Sequence, residues 1–192
     1  MITMAEQGLY GKFANLFVYP WNELGSAIEE CQKALLDCPE YSEDAKVELD
    51  KFAEEVGKMS LDDVQGIYSY TFEISAGDFA LDLGYHLYEG FKRANNLLSL
   101  KEMYKANNFP YEAVSKGELP DNLPVVLKFI DSVKEDLMIK SLREDFLIKA
   151  LEKLNKNFEN KQDSPYAHLL KSLLIIINTD VKGPKEEEAE NA

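Results

Sequence analysis

The chain has 192 residues, of which 45% are hydrophobic and 11% aromatic, enough for one folded domain with a substantial core. Its formal net charge is −14, from 35 acidic and 21 basic residues. That sign excludes the basic footprint that nucleic acid or an anionic membrane surface requires, and leaves room for a basic peptide partner.

Apolar residues recur at helical spacing nearly throughout. The first helix is expected over about Ala5 to Val18, ended by Pro20, because the residue before a proline is driven from helical geometry. Asn22 is placed to cap a second helix, with Leu24, Ala27, Ile28, Cys31, Ala34, Leu35 and Cys38 on its apolar stripe. Seven residues of helix separate the two cysteines by about 10 Å, too far for a disulfide. Ser42 is placed to cap a third helix carrying Ala45, Leu49, Phe52, Ala53 and Val56, with Gly57 as its stop.

Ser60, with Asp63 three residues on, reads as a capping box for a fourth helix through Val64, Ile67, Tyr68 and Phe72. A break is expected near Ser75-Ala76-Gly77, followed by a segment through Leu83 and Leu87 that Gly90 interrupts before a run to Tyr104. Phe109 to Pro124 holds three prolines and Gly117. It is a long connection, and such loops are often functional. Within it, Glu118, Leu119, Pro120, Asp121, Asn122 and Pro124 form a stiff entry to the next helix, with Asp121 or Asn122 as cap. Leu137 to Phe158 carries a stripe of Ile139, Leu142, Phe146, Ala150, Leu151, Leu154 and Phe158, and Ser164-Pro165 opens a last helix ending near Asn178. The expected architecture is all-α: one bundle of about seven to eight helices over residues 1–180, then a short acidic tail, 181–192.

No catalytic constellation stands out. The chain has no Gly-rich phosphate loop and no Gly-x-Ser-x-Gly elbow. A di-iron bundle needs Glu-x-x-His pairs, but Leu83 stands three residues before His86 and Pro165 three before His168. Two cysteines and two histidines without close pairing make no zinc site. His86, with Asp82 and Glu89 about one turn to either side, reads as a half-buried histidine bonded to a carboxylate or as part of a peptide surface. Tyr68 and Phe72 suit ordinary core or an aromatic peptide groove. The N-terminus lacks a basic signal region, and the longest apolar run, Leu173 to Ile177, is far short of a membrane span, so a cytoplasmic protein is expected.

Four segments carry a resemblance: Leu16-Phe17-Val18-Tyr19-Pro20, Leu61 to Glu73, Glu118-Leu119-Pro120-Asp121-Asn122-Leu123-Pro124 through Phe129, and Ser164 to Leu170. In this order they resemble the NarJ/TorD family of redox-enzyme maturation chaperones, closest to its nitrate reductase assembly branch (the delta subunit). The third is similar to that family's Glu-Leu-Pro-Asp-His-Leu-Pro signature, with Asn122 in the place of the histidine, so no role that needs an imidazole carries over. The resemblance implies a TorD-like helical chaperone without turnover or a cofactor of its own. Its partner would be the apo catalytic subunit of a molybdopterin-dependent oxidoreductase, bound near its N-terminus until the cofactor is inserted. The client-binding residues so nominated are Tyr68, Phe72, His86, Glu118, Leu119, Pro120, Asp121, Asn122 and Pro124. The alternative is a permanent structural or adaptor subunit of the same reductase.

Overall fold

Helical spacing of apolar side chains becomes helices whose inner faces close on one another. The computed structural model describes residues 7–74, 77–134, 136–159, 161 and 164–182, and it is all-α. Its helices are α1 (Leu9–Leu16), α2 (Leu24–Leu36), α3 (Glu43–Gly57), α4 (Leu61–Tyr68), α5 (Gly84–Leu87) and α6 (Gly90–Ala106). There follow α7 (Tyr111–Ser115), α8 (Leu123–Ser132), α9 (Leu137–Ser141), α10 (Ile148–Phe158) and α11 (Pro165–Lys182). Two wider π-helical stretches, Ser69–Ile74 and Leu142–Leu147, continue α4 and join α9 to α10. These π turns and the short α5 and α7 account for the excess over seven or eight helices.

Helix α3 packs along α11, and α1 packs against both α2 and α8. The α3–α11 seam is close because Ser172 is small and its hydroxyl donates to the Ala45 carbonyl at 2.7 Å. One hydrophobic cluster runs through all the longer helices, from Phe13 and Phe17 through Phe52, Phe129 and Leu151 to Ile177. The stripe expected over Leu137 to Phe158 is buried as read, at Ile139, Leu142, Phe146, Leu151, Leu154 and Phe158. Cys31 and Cys38 are free thiols.

Helix ends differ from expectation in instructive ways. The Ser60–Asp63 capping box is present, with Asp63 N–H to Ser60 Oγ at 3.2 Å and Ser60 N–H to Asp63 Oδ2 at 3.3 Å. Helix α1 stops at Leu16, because the chain turns away at Phe17, before Pro20 acts; Ala5 lies outside the described residues. Glu23, not Asn22, is the N-cap of α2, and Ser42 caps α3 without a side-chain bond. Helix α11 runs to Lys182, past the expected end near Asn178 and through the expected boundary of the tail. Residues 183–192, and Ser75 and Ala76 of the expected break, lie outside the described residues.

Candidate functional site

The site is built around Tyr68, the last residue of α4. Its hydroxyl donates to the Phe17 carbonyl at 3.1 Å, and Gln65, one turn earlier, donates through Nε2 to the Pro20 carbonyl at 2.8 Å. The non-helical segment after α1 thus has two of its carbonyls satisfied by α4 side chains, as buried backbone requires. The Tyr68 ring meets Tyr19 edge-on at 5.7 Å between centroids, Phe72 at 5.0 Å and Tyr166 at 5.8 Å. Such edge-to-face pairs suit the ring quadrupoles. The π-helical turn after Tyr68 keeps Thr71 and Phe72 buried while Glu73 remains exposed.

The third wall is the connection from α7 to α8. Lys116 ends α7 in the left-handed region (φ +53°) and Gly117 follows at φ +97°, so the chain reverses there. For glycine that geometry is free; for lysine it costs about 1 kcal/mol. The turn is pinned from below: Tyr111 donates to the Glu118 carbonyl at 2.7 Å and Tyr104 to the Pro120 carbonyl at 2.6 Å. It is also pinned from the side. The Leu83 N–H donates to the Asp121 carbonyl at 2.9 Å and the Leu123 N–H to the Leu81 carbonyl at 2.8 Å, around an isolated antiparallel bridge between Asp82 and Asn122.

Asp121 therefore has a different role from the helix cap expected of it. Its carboxylate is fully buried and accepts the Gly84 N–H at 3.0 Å, with Arg93 Nη2 3.6 Å away. Asn122 is the N-cap of α8, but its side chain makes no cap bond and donates instead to Asp82 Oδ1 at 3.4 Å. The N-terminal amides of α8 have other partners: Leu123 bonds to Leu81, and Val125 and Val126 to the Asn122 carbonyl, while Pro124 has no N–H to satisfy. Burial, then Asp82, raise the Asp121 pKa against the opposing pull of Arg93 and the Gly84 N–H.

Between these walls lies an open groove of about 560 Å³. Phe17, Val18, Tyr19 and Trp21 form one side, Tyr68 and Glu73 the second, and Val114, Ser115, Lys116, Glu118, Asn122, Pro124, Val125 and Lys128 the third. Four nominated residues, Tyr68, Glu118, Asn122 and Pro124, thus share one opening. The others do not line it. Phe72 and Pro120 are buried behind the groove, Asp121 braces it from within, and Leu119, 40% exposed, lies outside its lining. His86 is also outside the lining, and its partner is not the expected carboxylate: Nε2 lies 2.8 Å from the Ala80 carbonyl. Burial, its largest influence, lowers the His86 pKa and favours the neutral ring.

The groove also contains residues beyond those nominated. Tyr19, Glu73 and Lys128 stand inside segments that carry the resemblance; Trp21 and Lys116 stand outside them. Lys128 had a visible signal, since it is the one charged residue in the apolar run Leu123 to Ile130. Burial, then Asp82 and Glu73, push the Glu118 carboxyl above its ordinary range. Burial, then Lys116, push the Lys128 ammonium below its own. Burial raises the Tyr68 phenol too, so it remains a hydrogen-bond donor at neutral pH.

The lining supplies aromatic area, a few polar groups and charges of both signs. Among the described residues, no group of three or more His, Cys, Asp or Glu side chains is arranged to hold a metal ion, and no helix is long and apolar enough to cross a membrane. The chain matches no protein-family model and no curated protein.

Proposed function

We propose that this chain is a cytoplasmic assembly chaperone of the NarJ/TorD kind. It binds the N-terminal segment of the apo catalytic subunit of a molybdopterin-dependent oxidoreductase, nitrate reductase-like, and releases it once the cofactor has been inserted. One observation carries this reading: the four separated segments that resemble that family converge on Tyr68. Tyr19 from the first and Tyr166 from the fourth meet the Tyr68 ring, while Glu118 and Pro124 from the third face it across the groove. Segments so far apart in the chain have no local reason to share residue types, so a common surface is a physical reason for them to occur together.

The groove suits this role. It is open, which an extended or helical peptide requires, and rigid tyrosine and tryptophan rings give contact area at low entropic cost. The test is calorimetry with the N-terminal segment of the catalytic subunit, alongside cofactor loading of that subunit in a strain lacking this chain. Saturable binding and reduced loading are expected. No binding together with unchanged loading overturns the proposal. Persistence of this chain, in equal amount, in the purified cofactor-loaded enzyme would assign it instead as a permanent subunit.

A further inference from the structure

We infer that the groove has two electrical poles, and that Lys116 and Lys128 take a carboxylate of the bound peptide while Glu73 and Glu118 take its basic side chain. This rests on the reading of the groove as a peptide site and adds the chemical class of peptide it selects.

The four charged side chains are left unmatched by the fold. None of them makes a hydrogen bond or an ion pair within 4 Å among the described residues, although all four line the same groove. Some charges elsewhere are paired locally, as Lys58 with Glu54 and Lys149 with Asp145. Like charges act on one another here: Glu73, and Asp82 outside the lining, act on the Glu118 carboxyl, and Lys116 acts on the Lys128 ammonium. A half-buried ammonium without a counter-charge is unfavourable, and an incoming carboxylate removes that penalty.

The backbone supplies an independent argument. Among the described residues, two non-glycine positions have positive φ, Asn108 and Lys116. Asparagine tolerates that region; lysine gains nothing from it locally, and glycine or asparagine is the usual occupant where a helix ends this way. The left-handed turn that ends α7 places Lys116 on the rim of the groove.

The net charge of −14 narrows the ligand further. The acidic surface repels a free anion on approach, and salt screens that field beyond about 8 Å. The two lysines therefore act on contact, on a carboxylate brought in by a segment that also carries a cation. A basic peptide alone satisfies one pole, and a simple anion satisfies the other only against the field of the protein.

Fluorescence anisotropy on the full chain tests this with acetylated, amidated leucine-based peptides holding one Lys and one Asp at spacings of one to four residues. At the best spacing, Asp→Asn in the peptide is expected to weaken binding about tenfold, and that difference should vanish in a Lys116→Gln, Lys128→Gln protein. Lys128→Met, which keeps the packing of the stem, should act in the same direction, with urea unfolding to verify the fold of each variant. Equal affinity for the Asp and Asn peptides overturns the proposal, as does an Asp preference that survives in the lysine variants. Displacement of the peptide by millimolar inorganic phosphate, lost in Lys128→Met, also overturns it by marking a general oxyanion site. If no mixed-charge peptide binds while the N-terminal segment of the catalytic subunit does, the two-poled site falls and the chaperone reading stands.

Discussion

The carboxylate of Asp121 occupies the space where a side chain at residue 84 would stand. A Cβ on Gly84 would lie 2.6 Å from Asp121 Oδ2 and 3.1 Å from Asn96 Oδ1. Glycine at 84 thus lets the loop before α8 dock its buried acid directly onto the backbone N–H at the start of α5. Gly84→Ala is expected to push the carboxylate off that N–H and cost about 1–3 kcal/mol, read as a lower urea midpoint.

Asp121 and Glu118 lie three residues apart and should behave oppositely. Asp121→Ala leaves the Gly84 N–H without its acceptor and takes one of two carboxylates from Arg93, for a loss of about 2–3 kcal/mol in thermal or urea unfolding. Glu118→Gln alters an exposed groove side chain and should leave stability within about 0.5 kcal/mol while, under the proposed function, weakening binding of the catalytic-subunit segment in calorimetry. Equal stability losses in the two variants would contradict the division between brace and surface.

Tyr68→Phe removes a single hydroxyl and leaves the Phe17 carbonyl without that donor. A loss of about 1 kcal/mol is expected, measured by chemical unfolding. The rings stay packed, so near-ultraviolet circular dichroism should change little.

Acid should unfold the α3–α11 seam through Glu48. Burial alone would raise its pKa, but hydrogen bonds from Lys171, His168 and Lys51 outweigh this and hold the carboxyl at about 2, well below its ordinary value of 4.5. A folded-state pKa below the unfolded one gives stability that is present above about pH 4.5 and lost as pH falls toward 2. Two of its partners are largely exposed, Lys171 and Lys51, so the contribution is about 1–3 kcal/mol after screening. Glu48→Gln should lower stability at pH 7 and flatten its fall between pH 4.5 and 2 in urea titrations.

The helices were legible in the sequence because apolar spacing decides which face is buried, and that information is local. The Ser60–Asp63 box was legible for the same reason. The role of Asp121 was not. An Asp-Asn pair before an apolar run has the pattern of a cap, and only the approach of Gly84 and Arg93, 37 and 28 residues upstream, redirects the carboxylate. The π turns were also hidden, since a run of six residues at wider pitch barely disturbs an apolar stripe. Tyr68 could be nominated from its setting, whereas Lys116 could not, because its side chain reaches the groove by a left-handed backbone that lysine does not advertise.

Asp180 accepts hydrogen bonds from the hydroxyls of both Tyr10 and Tyr41. One carboxylate near the end of α11 therefore clasps the first helix and the turn before α3. During synthesis on a ribosome, neither tyrosine can acquire that acceptor until Asp180 has left the exit tunnel. Helix α1 can already pack on α2 and α8, but the α3 face that α11 covers stays open until that helix arrives.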